Sequence, residues 1–265
     1  MKARGIEMKK TAILLLIILL AMSISCCHQK ENASESGAKA TPPEAAVSDT
    51  ESGMLNGRDA NLSGAAMLAD FTVLSQLPEL PTGCEVTSLT MALNYCGVEA
   101  DKCDIADNYL DKGVVGTVDF RVAFEGDPRD EYSYGCYAPV LLNAANRYLE
   151  AQDSDLRAKD LTGTAFEQLL SYIDSGIPVI VWGTVDCEEP VNRISWEIDG
   201  EELKWYSPEH CMVLIGYDDR QVTVADPLKG ATATFDRELF KARYNDLFQQ
   251  AIVIEKGDSP ADTAE

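Results

Sequence analysis

Residues 82–97 read TGCEVTSLTMALNYCG, the pattern of a helix that begins beside a cysteine. Thr82 followed three residues later by Glu85 forms a capping-box pattern, apolar residues then recur at helical spacing, and Gly97 ends the run. The pattern predicts Thr82 as N-cap and places Cys84 in the first turn. There the positive end of the helix dipole lowers the pKa of a thiol. A structural cysteine packed beneath the helix start is the alternative.

Residues 209–226 read EHCMVLIGYDDRQVTVAD, two apolar strands around a polar turn. His210 and Asp226 are equally far from residue 218 in that turn, so we expect them to lie near each other across neighbouring strands. A carboxylate placed there orients an imidazole and stabilises its protonated form. Taken singly, the histidine also suits a hydrogen-bonded core position, and the aspartate suits a turn before Pro227.

The chain has two histidines, and His210 is the one in the part expected to fold. His28 follows the predicted export signal, at the start of a polar segment. If Cys84 is a nucleophile, His210 is therefore the candidate base.

Helical and strand patterns follow one another in a definite order along the chain. Further helices are expected near 104–110, 138–150 and 165–175, the last behind a second capping box at 164–167, and another opens at Asp236. Strands are expected at 177–182, 194–198, 203–206, 210–217, 222–225, 231–235 and 251–255. Helices come first and an antiparallel sheet afterwards, which indicates an α+β fold.

The amino terminus has the pattern of an export signal. Basic residues precede an apolar run, Ala12–Ile24, which has the length of a signal-peptide core. The run ends in SISCC, which resembles the cleavage box of bacterial lipoproteins, so Cys26 or Cys27 is the candidate for lipidation. We expect an exported protein held by lipid on the outer face of the bacterial cytoplasmic membrane. An ordinary secretory signal, and a secreted protein, is the alternative.

Composition divides the chain into four parts. Residues 1–26 are the predicted signal, 27–62 a polar disordered tether, 63–256 one folded domain, and 257–265 a disordered tail. About 190 residues suffice for one domain with a substantial core.

Charge and missing motifs exclude several classes of function. The formal net charge of −22, with no basic cluster to offset it, argues against nucleic acid as a partner. The sequence has no phosphate-binding loop, Gly-x-Ser-x-Gly or His-Glu-x-x-His pattern, so we expect no nucleotide partner. One histidine in the folding part and no Cys-x-x-Cys argue against a structural metal, and no cofactor is expected. An exported chain permits disulfides, and Cys96 with Cys103 is the candidate local pair, but the sequence leaves open whether the cysteines pair.

An irregular segment, Gly113–Gly135, interrupts the helical part of the chain. Long irregular segments are often functional, so it could border a substrate cleft; a structural excursion packed by Phe120, Phe124 and Tyr132 is the alternative. The three tryptophans, at positions 182, 196 and 205, are expected to pack in the core or the hairpin.

The chain has a cysteine at a first helix, a histidine on a later strand and an acid on the next strand. This order resembles that of papain-like thiol enzymes. The resemblance is sharper to family thirty-nine of the cysteine peptidases, named after the enzymes that process bacteriocin leaders. It rests on motifs in the same order through about Phe71 to Ile254. They are QLPELPTGCE at 76–85, YGCYAP at 134–139, GIPVIVW at 176–182, EHCMVLIGYD at 209–218 and DPLKG at 226–230.

The resemblance implies a papain-like fold and a role for each matching residue. Cys84 would be the nucleophile, His210 the general base and then acid, and Asp226 the orienting group. Gln76 and the Cys84 backbone N–H would donate to the oxyanion. The implied activity is hydrolysis of a peptide or other amide. No transporter-type phosphate loop accompanies the motifs, so leader processing itself lacks support.

Two other classes of function remain open. One is a binding module that keeps the papain-like scaffold without turnover. The other is an amide-transferring enzyme of the transglutaminase kind, or a wall-peptide amidase. Substrate, oligomeric state and cleavage preference cannot be predicted from the sequence.

Overall fold

The structure, a computed structural model, describes residues Leu62–Gly257. Five helices and eleven strands lie in this range. The helices are α1 Cys84–Tyr95, α2 Lys102–Asn108, α3 Ala138–Ala151, α4 Phe166–Asp174 and α5 Arg237–Asp246. The predicted signal, the tether except for Leu62, and the tail from residue 258 lie outside the described residues.

The main sheet is antiparallel and runs in the order β10-β9-β8-β5-β11-β4, with the short β1 also paired to β8. Its strands are β1 Ala66–Met67, β4 Leu156–Asp160, β5 Val179–Thr184, β8 Glu209–Tyr217, β9 Gln221–Asp226, β10 Ala231–Asp236 and β11 Ala251–Lys256. A separate hairpin joins β6 Val191–Ile198 to β7 Glu201–Ser207, and β2 Lys112–Gly113 pairs with β3 Phe124–Glu125. The α+β class with an antiparallel sheet is confirmed.

The centre of the sheet is buried on both faces. Every residue of β5 is buried, as its uninterrupted apolar sequence predicts, and so are all residues of β8 after Glu209. Helix α1 lies against β8, where Ser88 Oγ donates to the Cys211 carbonyl at 3.1 Å. The amino end of α1 is thereby held near the start of β8. Trp182 and Trp205 are buried and Trp196 is partly buried, which confirms their predicted packing role.

Two capping predictions are wrong, and the helix predicted to open at Asp236 is present. Helix α1 begins after Gly83, which has no side chain to cap it, and the Thr82 hydroxyl instead donates to carbonyls in residues 127–130. Helix α4 likewise has no side-chain cap at its N-cap, Ala165. Asp236 does cap α5, accepting a hydrogen bond from Leu239 N at 2.9 Å.

Two further expectations need correction. Strand β4 was not predicted. It forms one edge of the sheet, but in the chain it lies between helices α3 and α4 rather than after the helices. Cys96 and Cys103 are both free thiols, and Cys96 Sγ points to the Ile254 carbonyl instead. Between Leu62 and Gly257, no helix is both long enough and apolar enough to cross a membrane.

Candidate active site

The histidine and aspartate of the second hairpin meet as predicted. Strands β8 and β9 pair antiparallel, with Val213 opposite Ala225, so that His210 and Asp226 face the same side of the sheet. The His210 Nε2 and Asp226 Oδ1 atoms are 2.8 Å apart, and the two residues are 3% and 2% exposed. With Nε2 held by the carboxylate, Nδ1 is the ring atom available to exchange a proton with a substrate or thiol.

The surroundings of Asp226 keep it ionised. Burial alone would raise its pKa, but the hydrogen bond and charge of His210 outweigh burial and hold the pKa below its usual range. The same oxygen also accepts the backbone N–H of Leu228 and of Lys229. An ionised carboxylate with these partners fixes the orientation of the imidazole.

Cys84 is the first residue of α1 and is 6% exposed. Its thiol donates to Glu85 Oε2 at 3.3 Å rather than to the imidazole. The thiol also lies beside the start of β8, because Cys84 Sγ and a carboxylate oxygen of Glu209, the residue before His210, are within 4.8 Å of each other. The structure therefore brings Cys84 to the strand that carries His210.

The expected low pKa of the Cys84 thiol is not what the structure shows. Burial raises this pKa well above its usual range, and the charges of Glu85 and Glu209 raise it further, while the Cys211 backbone opposes them. A helix dipole contributes only about 0.3–1 kcal/mol at an exposed position, so two buried carboxyls outweigh it.

Gln76 is 3% exposed and lies beside the aspartate, since its backbone N–H donates to the Pro227 carbonyl at 2.8 Å. Its Nε2 donates to the Pro81 carbonyl at 2.7 Å, and its Oε1 is buried without a hydrogen-bond partner. The side-chain amide nitrogen of glutamine carries two hydrogens. One hydrogen of Gln76 is therefore left for another acceptor.

Sequence reasoning missed two residues of the site, Glu85 and Glu209. Glu85 is fully buried, and its Oε1 accepts the Cys136 N–H at 2.7 Å. Cys84 Sγ and one oxygen of each carboxylate all lie within 4.8 Å of one another. This spacing would suit a small cation, yet both Glu85 oxygens already accept hydrogen bonds, so we do not assign the cluster to metal binding. The sequence offers one signal for these two residues: Glu85 follows Cys84 directly, and Glu209 directly precedes His210.

The irregular segment 113–135 borders the amino end of α1. Pro128 O accepts the Thr82 backbone N–H at 3.2 Å, and Phe120 and Phe124 are buried. Tyr132 is 78% exposed, so its predicted packing role is wrong. The packing interpretation is confirmed for the two phenylalanines. The segment also lines a groove of about 720 Å³, and a role at a substrate cleft stays a prediction.

A second groove, of about 450 Å³, lies between the β6–β7 hairpin and the start of α3. Its apolar wall is formed by Phe120, Tyr137, Leu203, Tyr206 and Phe248. Tyr137 follows Cys136, whose backbone binds Glu85, so this groove adjoins the environment of the thiol.

Comparisons with known proteins agree with this architecture. Residues 68–252 match the family model described as "Peptidase_C39 like family". The chain is 29% identical over 222 residues to the "Uncharacterized protein YvpB" of Bacillus subtilis (strain 168), covering 79% of this chain and 84% of that protein. It is also similar to the crystal structure of a putative C39-like peptidase from Bacillus anthracis. That match has a TM-score of 0.65 and 32% identity and covers 74% of this chain and 99% of the other.

Proposed function

Because the chain belongs to the Peptidase_C39 like family, we propose that it is a cysteine peptidase that hydrolyses a peptide or other amide bond. The observation that carries the proposal is the buried pair formed by His210 and Asp226, 2.8 Å apart, together with the Cys84 thiol, which lies within 4.8 Å of a carboxylate oxygen of Glu209, the residue before His210. A thiol, an imidazole and an orienting carboxylate are the groups that covalent acyl transfer needs.

In the proposed mechanism His210 takes up and gives back protons in both halves of the reaction. The Cys84 thiol gives its proton to His210 Nδ1, and the thiolate attacks the carbonyl carbon. The Cys84 backbone N–H and the second Nε2 hydrogen of Gln76 donate to the oxygen as it gains charge. The imidazolium then protonates the leaving amine, and water, activated by the same ring, releases the acid from the sulfur.

The test of the activity is cleavage of a mixed peptide library by the purified full-length chain, followed by mass spectrometry, with a Cys84→Ala variant beside it. Products that appear only with the unsubstituted chain would support hydrolysis. A labelled amine that replaces water in the products would point to amide transfer instead, and the absence of turnover would favour a binding module. The apolar groove between the hairpin and α3 is a candidate position for a substrate side chain.

Gln76→Ala is expected to lower kcat by about 10²–10³-fold, as the loss of one oxyanion donor does elsewhere. The change should leave KM nearly constant, because the donor acts most strongly on the charged transition state. Steady-state kinetics measure both constants. Gln168→Ala, an exposed glutamine on α4, is the control. Equal kcat in the Gln76 variant and the control would contradict the assignment.

We further propose that the protein is exported and lipid-anchored through Cys26 or Cys27, in the part of the chain outside the described residues. Metabolic labelling with a fatty-acid analogue should mark the full chain. The label should be lost in the Cys26→Ser/Cys27→Ser double variant and kept in a Cys96→Ser/Cys103→Ser double variant. Labelling that survives the first double substitution would contradict the anchor.

A further inference from the structure

Two carboxyl groups lie beside the candidate nucleophile. Glu85 is adjacent to Cys84 at the start of α1, and Glu209 precedes His210 at the start of β8. Glu85 Oε2 accepts the thiol hydrogen at 3.3 Å, and Glu209 Oε1 is buried with no hydrogen-bond partner. Gly135 packs closely against both carboxyl groups. A Cβ at this position would lie 2.4 Å from Glu85 Oε1 and 3.3 Å from Glu209 Oε2.

Within the described range, neither carboxylate has a basic side chain as a partner. Among residues 62–257, no salt bridge reaches either carboxylate. The titratable groups that the charge of Glu85 or Glu209 affects are Cys84 of α1, Cys136 and Tyr137 before α3, and Cys211 of β8, and His210 follows Glu209 directly on β8. The one that can carry positive charge, His210, is engaged by Asp226.

Glu85 is fully buried and Glu209 is half-buried with its Oε1 buried, and two carboxyl groups this close are not both ionised without a cation, so they retain a proton between them. Burial raises the pKa of Glu85 to about 7. Burial, and then the charge of Glu85, raise the pKa of Glu209 well above its usual range. The pair of carboxyl groups therefore keeps this proton up to neutral pH.

We propose that Glu85 and Glu209 form a proton-sharing pair that controls ionisation of Cys84, which becomes a thiolate only while the pair holds a proton. This role rests on the proposed function of Cys84 as nucleophile. The geometry that carries it is the thiol–carboxyl contact, the 4.8 Å cluster and the unpartnered Glu209 oxygen.

The protons balance in this scheme. In the resting state the thiol donates to Glu85, and the shared proton sits on Glu209. When Cys84 gives its proton to His210, the two carboxyl groups, which lie within 4.8 Å of each other, move into hydrogen-bond contact, and the shared proton passes to Glu85 Oε2, which then donates to the thiolate. Glu85 thus changes from acceptor to donor, and no proton is gained or lost. When the pair loses its proton at higher pH, a carboxylate faces the sulfur and opposes the thiolate.

Iodoacetamide alkylation of Cys84 tests the proposal, followed by mass spectrometry of the Cys84 peptide at about pH 6 and about pH 8.5. Glu85→Gln keeps the shape and can donate to a thiolate at any pH. We expect its Cys84 to react about 10-fold faster than the unsubstituted chain at the higher pH, the effect of one pKa unit, and at a similar rate at the lower pH. At the higher pH, Glu209→Gln should change the rate in the same direction, because one carboxylate instead of two then opposes the thiolate.

Glu150→Gln is the matched control, because Glu150 is exposed near the far end of α3. Thermal melts establish that each variant is folded, and Glu209→Gln carries the test if Glu85→Gln does not fold. A Cys84 rate that is equal in the folded glutamine variants and the unsubstituted chain at both pH values would overturn the proposal. A change confined to melting temperature would overturn it as well. Because alkylation needs no substrate, a rate change without peptide turnover would refute the peptidase and retain the pair.

Discussion

The Cys84→Ala variant is expected to lose peptide hydrolysis by about 10⁴-fold or more, because covalent catalysis has no substitute for its nucleophile. The fold should survive. The substitution removes one sulfur from a site that is 6% exposed, and Glu85 keeps its hydrogen bond from the Cys136 backbone. Turnover numbers on a peptide identified from the library measure the first effect, and thermal melts measure the second.

Cys187→Ala is the matched control for that experiment. Cys187 is 5% exposed, so both variants lose a buried sulfur, but Cys187 lies on the short turn after β5, and its carbonyl binds Arg243 rather than any residue of the site. Cys187→Ala should therefore keep its turnover within a few-fold. Hydrolysis at an undiminished rate by the Cys84 variant would refute the nucleophile, whatever the control does.

The sheet and its histidine–aspartate pair could be predicted because their signals are local. Strands β8 and β9 are apolar runs joined by a short turn, and a hairpin fixes which residues face each other. His210 and Asp226 are equally distant from that turn, so their contact depends only on the register of the two strands. The register shifts by one residue beyond Leu214, and the two side chains still meet.

Strand β4 shows where local signals end. Its sequence, LRAKD, is mostly charged, and only Ala158 is buried. It forms the edge of the sheet by pairing with β11, almost a hundred residues later. Edge strands with charged faces lack the apolar pattern from which a strand is recognised.

The environment of Cys84 could not be predicted for the same reason. Residues 82–85 satisfy the local pattern of a capping box, but the tertiary structure offers both end residues better partners. Thr82 binds the 127–130 segment, and Glu85 binds the Cys136 backbone, 51 residues away. Burial of the thiol itself, and then the charge of Glu85 beside it, raise the thiol pKa instead of lowering it as expected.

His210→Ala is expected to reduce hydrolysis by about 10⁴-fold, near the upper end for loss of a general acid–base group. The structure gives the reason for so large an effect. The Cys84 pKa is raised by burial and by two carboxyls, so the thiol ionises at neutral pH only if a nearby base takes its proton. Alkylation of Cys84 near neutral pH should slow together with turnover. His28→Ala, at the other histidine of the chain, should change neither rate.

The orienting role of Asp226 adds a second measurement to the same experiment. Asp226→Ala leaves the imidazole in place but removes the acceptor that holds Nε2 at 2.8 Å, so Nδ1 no longer has a fixed direction or tautomer. Turnover should fall, though less than in His210→Ala. The double variant should be no slower than His210→Ala alone, because the carboxylate acts through the ring. If the losses of turnover in the two single variants multiply in the double variant, Asp226 acts on the substrate directly. An alkylation rate unaffected by His210→Ala would remove the imidazole from the mechanism.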